Sequence, residues 1–146
     1  MRGSGVRLAG AAAATVLVAL AVPRGSAAAQ EPSCPLPGEK PMLVTQLFFG
    51  LSVKGRGPVT AQEWQAFVRR NVAPRFPDGF TVHDAEGEWR DPVSRSVVRE
   101  NSKVVIVALE DTAEARLKIT EVSELYRKTF HQEAVGIISS RECAAF

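Results

Sequence analysis

The chain has 146 residues, with 18 lysines and arginines against 16 acids for a formal charge of +2, and 45% of its residues are hydrophobic. That length suits one domain around one core, and no dense basic stripe of the kind that neutralises phosphates is present, which disfavours nucleic-acid binding. The two cysteines, Cys34 and Cys143, would need two further ligands to make a zinc site, so a disulfide is the simpler expectation and no metal or cofactor is expected.

The first 29 residues read as a secretion signal. Arg2 and Arg7 form a positive start, Leu8 to Val22 is small and apolar throughout, Pro23 and Gly25 break that run, and Ala27-Ala28-Ala29 offers a cleavage site before Gln30. The apolar run falls short of the ~20 residues of a spanning helix, so cleavage is expected to leave no stable membrane anchor. The two arginines are not adjacent, which points to the general secretory route rather than the twin-arginine one. Cys34 lies behind Glu31-Pro32-Ser33 and not at the cleavage site, which speaks against lipidation. Removing Arg2, Arg7 and Arg24 leaves 15 basic against 16 acidic side chains, a net of −1. The expected location is the periplasm or the extracellular medium. There a Cys34–Cys143 bridge would close nearly the whole mature chain and add about 4–5 kcal/mol on the chain-entropy model.

Residues 30–41 are proline-rich and read as an extended lead-in to a single domain over 42–146. From Met42 to Val53 the chain is apolar and β-branched, with Leu43, Leu47, Phe49 and Leu51 on one face and Val44, Gln46 and Phe48 on the other. That is a strand buried on most of both faces. Thr60-Ala61-Gln62-Glu63 is a capping box, and Trp64, Phe67, Val68 and Val72 recur at helical spacing until Pro74. After the turn at Arg75–Gly79, strands are expected over Phe80–Arg90 and Ser96–Leu109, a long hairpin turning at Asp91–Ser94 with a polar distal half. Asp111-Thr112-Ala113-Glu114 starts a second helix whose stripe is Ala115, Ile119, Val122, Tyr126 and Phe130. Ala134–Ser140 closes the chain as a fourth strand.

The order β-α-β-β-α-β predicts an α+β, ferredoxin-like sandwich, one antiparallel sheet with two helices on one face. In that topology the last strand lies beside the first. Cys143, just after strand four, and Cys34, a short lead-in before strand one, are then expected to meet.

No nucleophile elbow, phosphate loop, dinucleotide fingerprint or HExxH motif occurs. The densest polar stretch runs from His83 to Asp91, where Asp84, Glu86 and Glu88 share one strand face. Three carboxylates there would suit Ca²⁺, but a solvated face balanced by Arg90, Arg95 and Arg99 across the turn is the simpler reading. Trp89, Arg90, Arg99 and Glu100 form a candidate ligand-binding patch, since an exposed tryptophan beside guanidinium groups offers flat apolar area and bidentate donors. His83, Arg99, Glu100 and His131 are candidate acid/base groups by residue type, although His131 also fits a helix C-terminal cap.

The runs Leu47-Phe48-Phe49-Gly50, Pro74-Arg75-Phe76-Pro77-Asp78-Gly79-Phe80-Thr81-Val82, Gly87-Glu88-Trp89-Arg90, Val98-Arg99-Glu100 and Phe130-His131-Gln132-Glu133-Ala134-Val135, with Trp64, Phe67, Ser102-Lys103-Val104 and Tyr126, carry a resemblance. In the same order over nearly all of the mature domain, they resemble the small secreted bacterial proteins of domain of unknown function family 3574. The resemblance implies a signal followed by one such domain, and no activity or catalytic residue. Pro92 and Val93 stand where a glycine-containing hairpin turn is more typical of that family.

The sequence thus leads to an exported binding or interaction module for a small ligand or a protein. Its helix-free sheet face is the expected site, including pairing with a second copy. A cofactor-free acid/base enzyme on that face is the alternative.

Overall fold

A computed structural model describes residues 34–146; the expected signal and the first residues of the lead-in lie outside the described residues. The elements are β1 (Lys40–Gly50), α1 (Ala61–Phe67) running on into a π-helical turn (Val68–Val72), β2 (Thr81–Arg90), β3 (Val97–Leu109), α2 (Ala113–Phe130) and β4 (Gly136–Ala144). The strands form one antiparallel sheet in the order β2-β3-β1-β4, the ferredoxin-like sandwich the element order implies.

β1 begins two residues earlier than the apolar run suggests and ends at Gly50. Pro41 lacks a backbone donor and sits near the strand start, a position sheets tolerate. Leu51 turns out of the strand, with its N–H donating to the Asn101 carbonyl (2.9 Å) and its carbonyl accepting from Val59 (2.8 Å). On β1 the helix-facing residues are Leu43, Thr45, Leu47 and Phe49, and on β3 they are Val105 and Val107. Leu47, Phe49, Val105, Val107, Val122 and Tyr126 are almost fully buried, joined by Trp64, Phe67, Val72, Phe76 and Phe130. Fully burying each large apolar side chain contributes about 1.5–3 kcal/mol. The one buried polar group of β1, Thr45, is satisfied by Ser139 of β4 at 2.9 Å.

Both helix starts are capped, one as expected. The Thr60 hydroxyl accepts from the Glu63 N–H (3.2 Å) and the Glu63 carboxylate accepts from the Thr60 N–H (2.8 Å), a complete capping box. The second helix is capped by Thr112, whose hydroxyl accepts from Ala115. Asp111 is thereby left outside the helix and takes Arg116 and Arg141 instead, joining the start of α2 to β4. At the far end, His131 adopts the left-handed conformation (φ 54°) and the Gln132 N–H reaches back to the Arg127 carbonyl at 3.0 Å. That closes α2 as a Schellman-type cap.

β4 runs to Ala144, four residues beyond the expected end, because its whole length pairs with β1. Cys143 therefore lies inside the strand, opposite Pro41. A turn at Leu36–Glu39, with Gly38 at φ 85°, folds the lead-in back so that Cys34 bridges Cys143 with Cα atoms 5.5 Å apart. Among the described residues no helix is long and apolar enough to cross a membrane.

The β2–β3 hairpin closes without glycine. The Asp91 carboxylate accepts from the N–H groups of Val93 (2.9 Å) and Ser94 (2.6 Å), and Arg95 supplies the left-handed residue at φ 62°. The side chain of Asp91 thus organises the turn in place of a glycine.

Candidate functional site

The strand register sorts the polar residues by face. On the face away from the helices lie His83, Ala85, Gly87 and Trp89 of β2, Val98, Glu100, Ser102, Val104 and Ile106 of β3, and Val44, Gln46 and Phe48 of β1. Ile138 and Ser140 of β4 complete it. Met42 and Val104 of this face are buried, yet both stand outside the core cluster. The centre of the open face is therefore a small apolar layer of its own. Ile138 is 58% exposed and Trp89 44% exposed at its margins.

The candidate acid/base residues are not brought together. His83 stands opposite Val104, and Glu100 opposite Gly87, an offset of four residues or about 13 Å along the strands. Arg99 points to the other face, where it pairs with Glu88. His131 sits at the end of α2, on the helix layer. The binding patch divides in the same way. Trp89 and Glu100 share the open face, whereas Arg90 and Arg99 lie behind it, and Arg90 donates to the Arg95 carbonyl at 2.9 Å.

The carboxylate ladder is charge-paired. Asp84 takes Lys103 and Glu88 takes Arg99, both across the strand pair, while Glu86 faces Asn101. Of the three arginines expected to balance this face only Arg99 does so; Lys103 is the other partner. The Cys34 and Cys143 sulfurs approach Glu39 closely, but both are consumed by their bridge.

Glu100 has a structural employment. Its carboxylate lies directly over Gly50, where a Cβ would come within 2.6 Å of Oε1, and it accepts from the Ser52 N–H at 2.9 Å. The Gly50 carbonyl in turn accepts from the Tyr126 hydroxyl (2.8 Å), and the Ser52 carbonyl from Gln132 (2.6 Å). Burial first, then the Glu100 charge, push the Tyr126 phenol well above its ordinary value. These bonds fix the segment after β1 and leave Tyr126 a neutral donor rather than a titrating group.

Two concavities stand out among the described residues. One, of about 760 Å³, lies at the far end of the sheet beside Lys40, Phe80, Ile106 and Lys118, and both of its lysines are paired, with Glu110 and Glu114. The other, of about 610 Å³, lies between α1 and the end of α2, lined by Arg56, Glu63, Phe67, Arg70, Phe130 and His131. Of these only His131 is a candidate acid/base group in the sequence. The Arg69-Arg70 pair at helical spacing from Phe67 is the signal that marks the groove, and it looks like an ordinary solvated face.

The architecture has known counterparts. The fold is similar to that of a phage SAM lyase in complex with S-methyl-5'-thioadenosine, with a TM-score of 0.56 and 17% identity over 70% of this chain and 87% of that one. A phage SAM lyase in the apo state is similar at a TM-score of 0.51 and 19% identity, over 78% and 94% of the two chains. CutA from Synechococcus elongatus PCC7942, complexed with a Bis-Tris molecule, aligns at a TM-score of 0.48 and 9% identity over 73% and 87%. For the two lyase structures, at such identities, the likeness is one of fold. No curated protein matches the chain. Residues 44–146, nearly all of the folded domain, match one family. The chain belongs to the family described as Protein of unknown function (DUF3574).

Proposed function

We infer that the mature domain is an exported interaction module, and that its helix-free sheet face joins a second copy of the same chain. The observation that carries this reading is the apolar layer on that face. Val44, Phe48, Val104 and Ile106 form its centre, Ile138 stands exposed at its edge, and no element among the described residues covers it. The charged residues of the face lie toward opposite ends of the strands, Glu100 at one end and Lys40 and Glu142 at the other, so a two-fold pair need not bury like charges at its centre.

Size supports a partner as large as a second copy. Neighbouring strands about 4.8 Å apart pair over 8, 9 and 10 residues in a staggered sheet, and such a face presents roughly 500 Å². Two such faces would bury about 1,000 Å², the area at which a specific interface becomes credible. The Cys34–Cys143 bridge supports export, because such bridges persist in oxidising compartments.

Light scattering during size exclusion tests the pairing. Residues 30–146 are expected to elute at twice the chain mass, and Ile138→Glu, a change at an exposed position, at the single-chain mass. A wild-type monomer at tens-of-micromolar concentration would overturn the reading.

A further inference from the structure

We propose that the groove between α1 and the C-terminal end of α2 is a binding site for a small monocarboxylate with an apolar body. The groove lies on the helix layer and is independent of the sheet-face reading. Its volume of about 610 Å³ falls in the range of small-molecule sites.

The charges decide what class of ligand fits. Glu63 is fully engaged, holding the Thr60 N–H and hydroxyl and pairing with Arg56. Arg70 makes no ion pair among the described residues. The groove therefore keeps one uncompensated guanidinium, with the His131 ring on the opposite wall. The partial negative charge at the end of α2 opposes an anion. It is reduced because the Arg127 carbonyl already accepts from the N–H groups of both His131 and Gln132. A full positive charge against a partly satisfied helix end leaves the balance with an anion. Arg70 offers the planar fork that a carboxylate matches in two bonds.

The body of the ligand follows from the floor. Phe67 and Phe130 form it, 3% and 5% exposed, with Ala66 and Thr129 beside them. Among the described residues no second free cation stands over that floor, so a single acid group with an apolar remainder suits it better than a polyanion.

Two backbone departures converge here. The Ala73 N–H reaches the Val68 carbonyl at 2.9 Å, the five-residue bond of a π-helical turn, and that turn carries Arg70 and Asn71. Its loosened carbonyls are served by side chains, Asn71 donating to Phe67 (3.3 Å) and Arg75 to Asn71 (3.0 Å). The opposite wall is the left-handed His131. Single π turns and non-glycine residues in the left-handed region recur at ligand sites because they re-aim side chains at a local cost.

The test is an amide chemical-shift titration of residues 30–146 with phenylacetate, using phenylethylammonium as the probe of opposite charge. The same titrations are run on Arg70→Gln, on Arg69→Gln, which removes the same charge outside the groove, and on Ile138→Glu, so that loss of pairing and loss of this site are read separately. Phenylacetate is expected to give saturable shifts centred on residues 66–70 and 129–131, and the cation none. Arg70→Gln is expected to weaken binding about tenfold or more, as loss of a charge-assisted bond does, while Arg69→Gln changes it by less than about twofold. No saturable shift in the wild type, shifts centred elsewhere, or equal weakening by the two arginine variants would overturn the proposal.

Discussion

Tyr126 is the chain's single tyrosine, and it is wholly buried with its hydroxyl on the Gly50 carbonyl. Its ring lies edge-on to Phe49 and Phe67 with centroids at 4.7 and 5.1 Å, so Tyr126→Phe keeps the packing and loses one hydrogen bond. The expected cost is about 1 kcal/mol near neutral pH, read by denaturant unfolding. The phenol is raised above its ordinary value near 10, so the folded state favours its neutral form. The stability tied to that form is complete below about pH 10 and is lost as the pH rises further, when the unfolded chain ionises first. The gap between wild type and Tyr126→Phe should therefore narrow at alkaline pH; a constant gap would remove this assignment. The helical stripe containing Tyr126 was legible, because periodicity of 3.6 is a local signal. Its partner Gly50 was not, nor was the seat of Glu100 over that glycine. The first depends on how α2 lies across β1, and the second on which residues of β1 meet β3, a register that short-range patterning leaves open.

At the scale of elements, the caps and the hairpin show how side chains replace default backbone solutions. Arg95 holds a left-handed conformation that costs a residue with a Cβ roughly 1–2 kcal/mol. Glycine removes that cost but loses about 0.5–1 kcal/mol of its own in chain entropy. Arg95→Gly is therefore expected to raise stability by about 0.5–1 kcal/mol in thermal or denaturant unfolding, with the Arg90 bond to the residue-95 carbonyl intact. A loss of stability would show that the Arg95 side chain holds the turn. The strands and helices were readable from alternation, stripes and the Thr60 box. The π turn was not, since Val68–Val72 continues the same apolar spacing as α1 and nothing in the residue types marks a five-residue bond. The far end of β4 was missed for a different reason. Arg141 and Glu142 look like loop residues, and they are strand because β1 supplies partners out to Lys40.

For the molecule as a whole, the sheet order places the last strand beside the first, and the bridge between Cys34 and Cys143 spans 109 residues of separation. Closing a loop of that length contributes about 4–5 kcal/mol on the chain-entropy model, comparable with the whole net stability of many small domains. Bridge and topology were legible together in the sequence, because cysteine positions and element order constrain one another. The candidate site was much less so. Types such as His83, Glu100 and Arg99 were visible, but strand parity sends them to different faces and separates them along the sheet. The groove at Arg70 arises only when α1 and α2 pack.

Export and closure by the bridge meet in a single observable, the intact mass of the protein recovered from outside the cytoplasm of a secreting cell. The expected species begins at Gln30 and is two hydrogens lighter than its fully reduced form. A full-length chain, or a mature chain carrying two free thiols, would contradict it.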